Sequence, residues 1–268
     1  MLPITQDKFD QPGPVARHVA DLALFDAAIA HDATPLEKPA LSAIRIGVAP
    51  FFMTQLDPDV ERIVQSAIVK LTDAGATIVR ADVPDAVKAA PIVAGTIQIG
   101  EVLGAMTDFL AKYGNGITFD AVLRELGANV GWLFRTAVLP PNGIPPAVYQ
   151  NALQQREQVK AGIAAYFREH RVDVLMFPPA LVPPLPLGDN VDVDIGGAKV
   201  PLTTVMGRNT SLGSCASLAC LVLPGGLTAN RLPVGIEFDA LPGTDRRLLS
   251  IGLALEEALG PVPGPTLR

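Results

Sequence analysis

A chain of 268 residues with 49% hydrophobic and 18% charged side chains carries enough apolar material for a sizeable core. Its formal net charge of −6, with no basic run, argues against a polyanionic partner, because nucleic-acid affinity comes largely from Lys and Arg neutralising phosphates. Residues Met1 to Asp7 have neither a positive n-region nor an apolar h-region, and no uninterrupted apolar run approaches the roughly 20 residues of a membrane span. The expectation is a cytoplasmic protein with no membrane and no nucleic-acid partner.

In chain order, Pro12-Gly13-Pro14 ends an extended segment and opens a helix whose Val15, Val19, Leu22, Phe25 and Ile29 share a face, with Pro14 in its first turn. Ile44 to Val48 reads as a strand. Asp57-Pro58-Asp59 caps a helix with Val60, Ile63, Val64, Ala67, Ile68 and Leu71 on one side, ending at Gly75. Thr77 to Ala81 is a second strand, expected to lie parallel to the first.

Residues 85 to 137 are helical in composition, and Pro91, Gly100, Gly104, Gly114 and Gly116 predict several short helices there. A long helix runs from Ile144-Pro145-Pro146 to about His170, with Val148, Ala152, Val159, Ile163 and Phe167 as its inner stripe. Val172 to Phe177 is a strand stopped by Pro178-Pro179, and Leu218 to Leu223 reads as another. Leu232 to Phe238 is the last strand, and Thr244 or Asp245 starts a closing helix that ends at Gly260.

Local chemistry is sparse. Cys215 and Cys220 sit in an apolar segment and read as small packed thiols, and His18, His31 and His170 are scattered singly without metal spacing. Asp189, Asp192 and Asp194 lack the spacing of a calcium loop, and the alternation from Val191 to Ile195 reads as an edge strand guarded by charge. Gly213-Ser214-Cys215-Ala216 looks like a nucleophile elbow but has Leu212 and Ala216 where that turn needs glycines.

Four blocks carry a family likeness. They are Asp10 to Arg17; Tyr149, Ala152 and Arg156 followed by Val172 to Pro178; Arg208 to Ala216 with Leu221 to Thr228; and Leu232-Pro233-Val234-Gly235-Ile236 with the helix after it. Their order and spacing resemble the second half of amidase-signature enzymes: the third block resembles the family's substrate-side strand leading into a Pro-x-Gly turn, here Pro224-Gly225-Gly226, and Pro3 to Asp10 is most similar to members acting on mandelamide-like or indoleacetamide-like amides. The resemblance implies an α/β fold: the C-terminal portion of the amidase-signature fold, a mixed central sheet covered by helices on both faces, with residues 1–268 as a single partial amidase domain. The activity it implies is hydrolysis of the carbon–nitrogen bond of a small linear or aryl amide through an acyl-enzyme, without a cofactor or metal.

In that family a lysine acts as base through a second serine on a serine nucleophile in a Gly-Gly-Ser-Ser-Gly-Gly loop. None of the serines here, Ser42, Ser66, Ser211, Ser214, Ser217 and Ser250, lies in such a loop, and no lysine from Lys8 to Lys199 matches the family's position. The expectations are therefore no catalytic residue in this chain, Thr210, Ser211 and Cys215 at the substrate side, and Asp10 and Arg17 as active-site support. An alternative is a non-catalytic remnant or assembly module. A sheet divided in this way is expected to self-associate through its exposed edge. Cys215, Ser217, Ala219 and Cys220 stand where the resembled family often has Asn, Gly, Pro and Gly, Arg231 where it has Gly and Gln11 where it has Thr, predicting backbone strain of roughly 1–3 kcal/mol wherever a positive φ is required.

Overall fold

A computed structural model describes residues 2–188 and 192–264. The elements are α1 (Val19–Ile29), β1 (Arg45–Val48), α2 (Pro58–Asp73), β2 (Thr77–Arg80), α3 (Asp85–Lys88), α4 (Ala90–Tyr113), α5 (Phe119–Glu125), α6 (Ala128–Leu133), α7 (Pro146–His170) and β3 (Val174–Phe177). There follow β4 (Asp192–Ile195), β5 (Ala198–Pro201), α8 (Leu202–Gly207), α9 (Ser211–Ala216), β6 (Ala219–Leu227), β7 (Pro233–Ala240) and α10 (Asp245–Leu259).

Five strands form a mixed sheet in the order β2-β1-β3-β7-β6. β1 runs parallel to β2 and β3, whereas β7 is antiparallel to both β3 and β6. The two-residue side-chain period of a strand divides β3 between two cores. Val174 and Met176 join the cluster of Val60, Ile63 and Leu71 of α2 and Ile251 and Leu255 of α10. Leu175 and Phe177 join the opposite cluster with Ile97 of α4, Ile163 of α7 and Leu212 of α9. The sheet is thus covered by helices on both faces, as the resemblance implies.

The best-formed local signal is α2. Asp57 accepts a hydrogen bond from the Asp59 amide at 2.8 Å, Pro58 occupies the first turn, and all six stripe residues are buried. Gly75 follows at a positive φ that an L side chain rarely adopts, ending the helix where expected.

Four expectations are corrected. The first helix begins at Val19, not Pro14; Val15 is exposed, and of its apolar stripe only Val19 is buried, while Phe25 and Ile29 face outward. The stripe on α7 likewise starts later, Val148 being exposed. Gly100 and Gly104 do not interrupt the fourth helix, which runs 24 residues from a first-turn Pro91. The intrinsic cost of about 1 kcal/mol per helical glycine is outweighed here by packing of its buried face against α7 and α9. That helix is also long and apolar enough to cross a membrane by length and composition, although it carries Glu101 and Asp108.

The fourth correction concerns the segment expected as a substrate-side strand. Arg208 to Thr210 form a turn and Ser211 to Ala216 the helix α9, which also removes the elbow reading of Ser214. Pro224-Gly225-Gly226 makes no turn; β6 continues to Leu227 with a shift of register between Pro224 and Gly226. Asp192 and Asp194 belong to a separate two-stranded ribbon, β4 with β5, joined by Gly196-Gly197, both at positive φ. Asp189 and Val191 lie outside the described residues.

Candidate functional site

The parallel strands β1 and β3 deliver their carboxyl ends to one place, where ligands of open α/β sheets commonly bind. Beyond β1 the chain turns through Pro50–Met53, and beyond β3 it enters the proline-rich loop after Phe177. Phe52 and Phe177 stack at 4.5 Å between ring centroids beneath both turns.

Arg208 and Asn209 stitch these loops together. The buried Asn209 amide donates to the carbonyls of Phe52 at 3.1 Å and Pro178 at 2.7 Å. Arg208 donates to the Thr54 carbonyl at 2.7 Å, to the Thr54 hydroxyl at 3.3 Å and to Asn209 Oδ1 at 3.1 Å. Among the described residues no carboxylate pairs with this guanidinium, and burial pulls its pKa down from the usual arginine value. The loop after β3 is also pinned by its backbone, since Asp57 donates to Leu181 and Leu181 to Val205.

Above this junction lies an apolar groove of about 430 Å³, lined by Pro183, Leu185, Leu202, Met206, Pro233 and Val234 among others. Its walls can hold a hydrocarbon or aryl group by excluding water. Thr210 and Ser211 follow one turn after Met206. Their hydroxyls donate back to the carbonyls of Met206 and Gly207, which leaves each oxygen free to accept one further bond.

Cys215 is fully buried in the α4–α7–α9 core and lines neither this groove nor the second cavity described below. Burial pushes its thiol up to about 11, so it is not a thiolate at neutral pH. Cys220, read as a packed thiol, instead reaches solvent on β6, and both cysteines are free.

Asp10 caps its own loop, accepting from the Thr5 hydroxyl and amide at 2.6 Å each and from the Ile4 amide at 3.0 Å. Arg17 lies elsewhere, in a cavity of about 640 Å³ between α1 and α10 that also includes His18, Lys38 and Glu256. None of Thr210, Ser211, Cys215, Asp10 and Arg17 lines the groove; Thr210 and Ser211 are tied to it only through the carbonyls of Met206, a wall residue, and Gly207.

Sequence reasoning missed a polar network that fastens the N-terminal segment. Glu101 of α4 is buried and receives Lys8 Nζ at 2.8 Å, the Tyr149 hydroxyl at 2.5 Å and the Gln6 amide at 3.1 Å. Arg156 of α7 spans from the Lys8 carbonyl at 3.3 Å to the Cys215 carbonyl at 2.9 Å and lies 4.9 Å over the Phe9 ring. Hydrogen bonds to Asp7 and Glu101 raise the Lys8 pKa, so its ammonium stays charged and is no proton acceptor. The only signal in the sequence was the presence of Tyr149 and Arg156 in a family block.

The family model described as Amidase matches residues 4–249. This chain belongs to the amidase family. It is 32% identical over 261 residues to an indoleacetamide hydrolase of Agrobacterium vitis, covering 97% of this chain and 56% of that protein. It is 31% identical over 268 residues to a mandelamide hydrolase of Pseudomonas putida, covering 96% and 52%. A crystal structure of an amidase superposes with a TM-score of 0.72 at 21% identity, over 92% of this chain and 52% of the other. The native peptide amidase of Stenotrophomonas maltophilia gives 0.63 at 20%, over 96% and 55%. The chain spans about half the length of the curated relatives it matches, and over that half the amidase fold is shared.

Proposed function

We propose that residues 1–268 form one partial amidase domain that supplies the substrate side of an amide hydrolase acting on a small aryl or linear amide. The apolar groove after the carboxyl end of β3, whose wall residue Met206 accepts the Thr210 hydroxyl one turn away, is the observation that carries this reading. An aryl group fills the groove, and the two hydroxyl oxygens accept from the substrate amide N–H. Cys215 supports the groove from beneath α9 by packing, Asp10 through its capped loop, and Arg17 through the far end of α10. The names of two relatives, hydrolases of indoleacetamide and of mandelamide, favour an arylacetamide over a purely aliphatic amide.

Hydrolysis itself needs an activated nucleophile and preorganised oxyanion donors. None of the six serines or seven lysines here forms such a pair in the described residues, and Cys215 is neutral and enclosed. On this reading the Ser-Ser-Lys set is not in these 268 residues, and the chain is inactive alone.

Titration of the isotope-labelled chain with phenylacetamide tests the groove. Shifts of the Met206 methyl and Leu202 resonances, saturable and reduced in Met206→Asp, are expected; shifts confined to the α1–α10 cavity contradict the assignment. A second reading, an assembly module, is favoured by the β6 edge, where Val222 is exposed on a nine-residue edge strand. Concentration-dependent sedimentation that Val222→Lys abolishes supports association through that edge, and a monomer at all concentrations rules it out.

A further inference from the structure

The pairing of β6 with β7 sets Cys220 directly across from Asp239, with Glu237 two residues along the same face of β7. One ligand atom from each of these side chains lies within 4.8 Å of the other two. Asp239 is completely buried and Glu237 is 4% exposed. Among the described residues no group outside the cluster hydrogen-bonds to either oxygen of Asp239 or to Oε2 of Glu237, which leaves them only each other and the Cys220 thiol.

Two ionised carboxylates cannot rest side by side away from water. Either protons or a bound cation must neutralise the pair. The third member of the cluster distinguishes these solutions: a thiol beside two carboxylate oxygens is a mixed sulfur and oxygen donor set, which suits a borderline-soft divalent ion and not magnesium or calcium.

Gly213 of α9 covers the cluster, and a Cβ there would fall 2.6 Å from Cys220 Sγ and 3.9 Å from an oxygen of each carboxylate. Cys220 sits on the edge strand and reaches solvent, which provides an entry path.

We propose that Cys220, Glu237 and Asp239 form a binding site for one zinc ion, with water completing a tetrahedral shell. Binding breaks the S–H bond of Cys220 and removes the proton shared by the carboxyls; both protons leave to solvent as the three metal–ligand bonds form. This site is separate from the apolar groove, and no residue of one lines the other.

The test uses the purified full chain, stripped with a chelator and titrated with Zn²⁺ or Co²⁺ alone. One equivalent of Zn²⁺ is expected to raise the thermal midpoint, and Co²⁺ to give a thiolate-to-metal charge-transfer band. Cys220→Ser removes that band, and Asp239→Asn weakens zinc binding by at least about tenfold. Zinc should also slow alkylation of Cys220 in the wild-type chain, a readout that requires no variant to fold. Absence of the band, unchanged zinc affinity in both variants, or alkylation of Cys220 indifferent to zinc would each overturn the site. So would a Glu237→Gln, Asp239→Asn pair that stabilises the chain while the wild type ignores zinc, since protons alone would then neutralise the carboxyls.

Discussion

Arg231 holds a left-handed backbone, φ +62°, in the turn between β6 and β7, where its amide donates to the Thr228 carbonyl at 2.9 Å. An L side chain there costs roughly 1–2 kcal/mol, offset in part by the extra chain entropy that glycine loses on folding, roughly 0.5–1 kcal/mol. Arg231→Gly is expected to raise the urea midpoint by a net stabilisation of about 0.5–1 kcal/mol. A lowered midpoint would mean that the turn is not strained. Ser217, at φ +56° after α9, shows the same strain, but its hydroxyl also accepts from Arg156 at 3.2 Å, so replacing it removes a contact as well. Cys220 and Ala219, expected from the sequence to share such strain wherever a positive φ is required, sit in ordinary strand conformation instead.

Glu101 sets a pH dependence at the same scale. Burial alone would raise its pKa, but hydrogen bonds from Lys8, Tyr149 and the Gln6 amide outweigh that and hold it below the usual carboxylate range. A carboxyl depressed in the folded state stabilises the fold fully above its unfolded pKa, and that contribution disappears as pH falls through the lower folded value. The chain should therefore lose stability on acidification below about pH 4.3, the ordinary glutamate value. Glu101→Gln should cost about 2 kcal/mol at neutral pH and flatten the acid limb of a stability profile. An unchanged limb would show that the network does not hold the N-terminal segment.

Among elements, α4 separates intrinsic preference from packing. A Cβ added at Gly95 or Gly104 meets nothing within 4 Å, so each glycine lowers helix propensity without serving a close approach. Gly95→Ala and Gly104→Ala should each stabilise by up to about 1 kcal/mol, additively, in denaturant unfolding. Destabilisation by either would show that α4 is not a continuous helix there.

The same comparison shows where the sequence was readable. α2 was legible because its cap, its first-turn proline and a single apolar stripe all agree. α1 was not, because Val19, Leu22, Leu24, Phe25 and Ile29 surround the helix and periodicity selects no unique face. α9 is not legible as a helix because six apolar and small residues cannot declare their period. Part of the site was equally hidden. Thr210 and Ser211 stood in a family block, but the groove is assembled from a loop, a helix and a strand some 50 residues apart, from Pro183 to Val234. The Cys220, Glu237 and Asp239 cluster depends on the register of β6 against β7; its one trace in the sequence is two acids at alternate positions of an apolar strand.

For the whole molecule, a mixed sheet with helices on both faces places a groove after the carboxyl end of β3, and the chain belongs to the amidase family over about half the length of its relatives. On the proposed function, this chain supplies the substrate side of an amide hydrolase and none of its nucleophile chemistry. Ammonia release from phenylacetamide by the purified chain tests that division most directly. The expected rate equals the buffer rate and is unchanged in Ser211→Ala, Ser214→Ala and Cys215→Ala; turnover by the chain alone, lost on any one of those substitutions, would contradict the account.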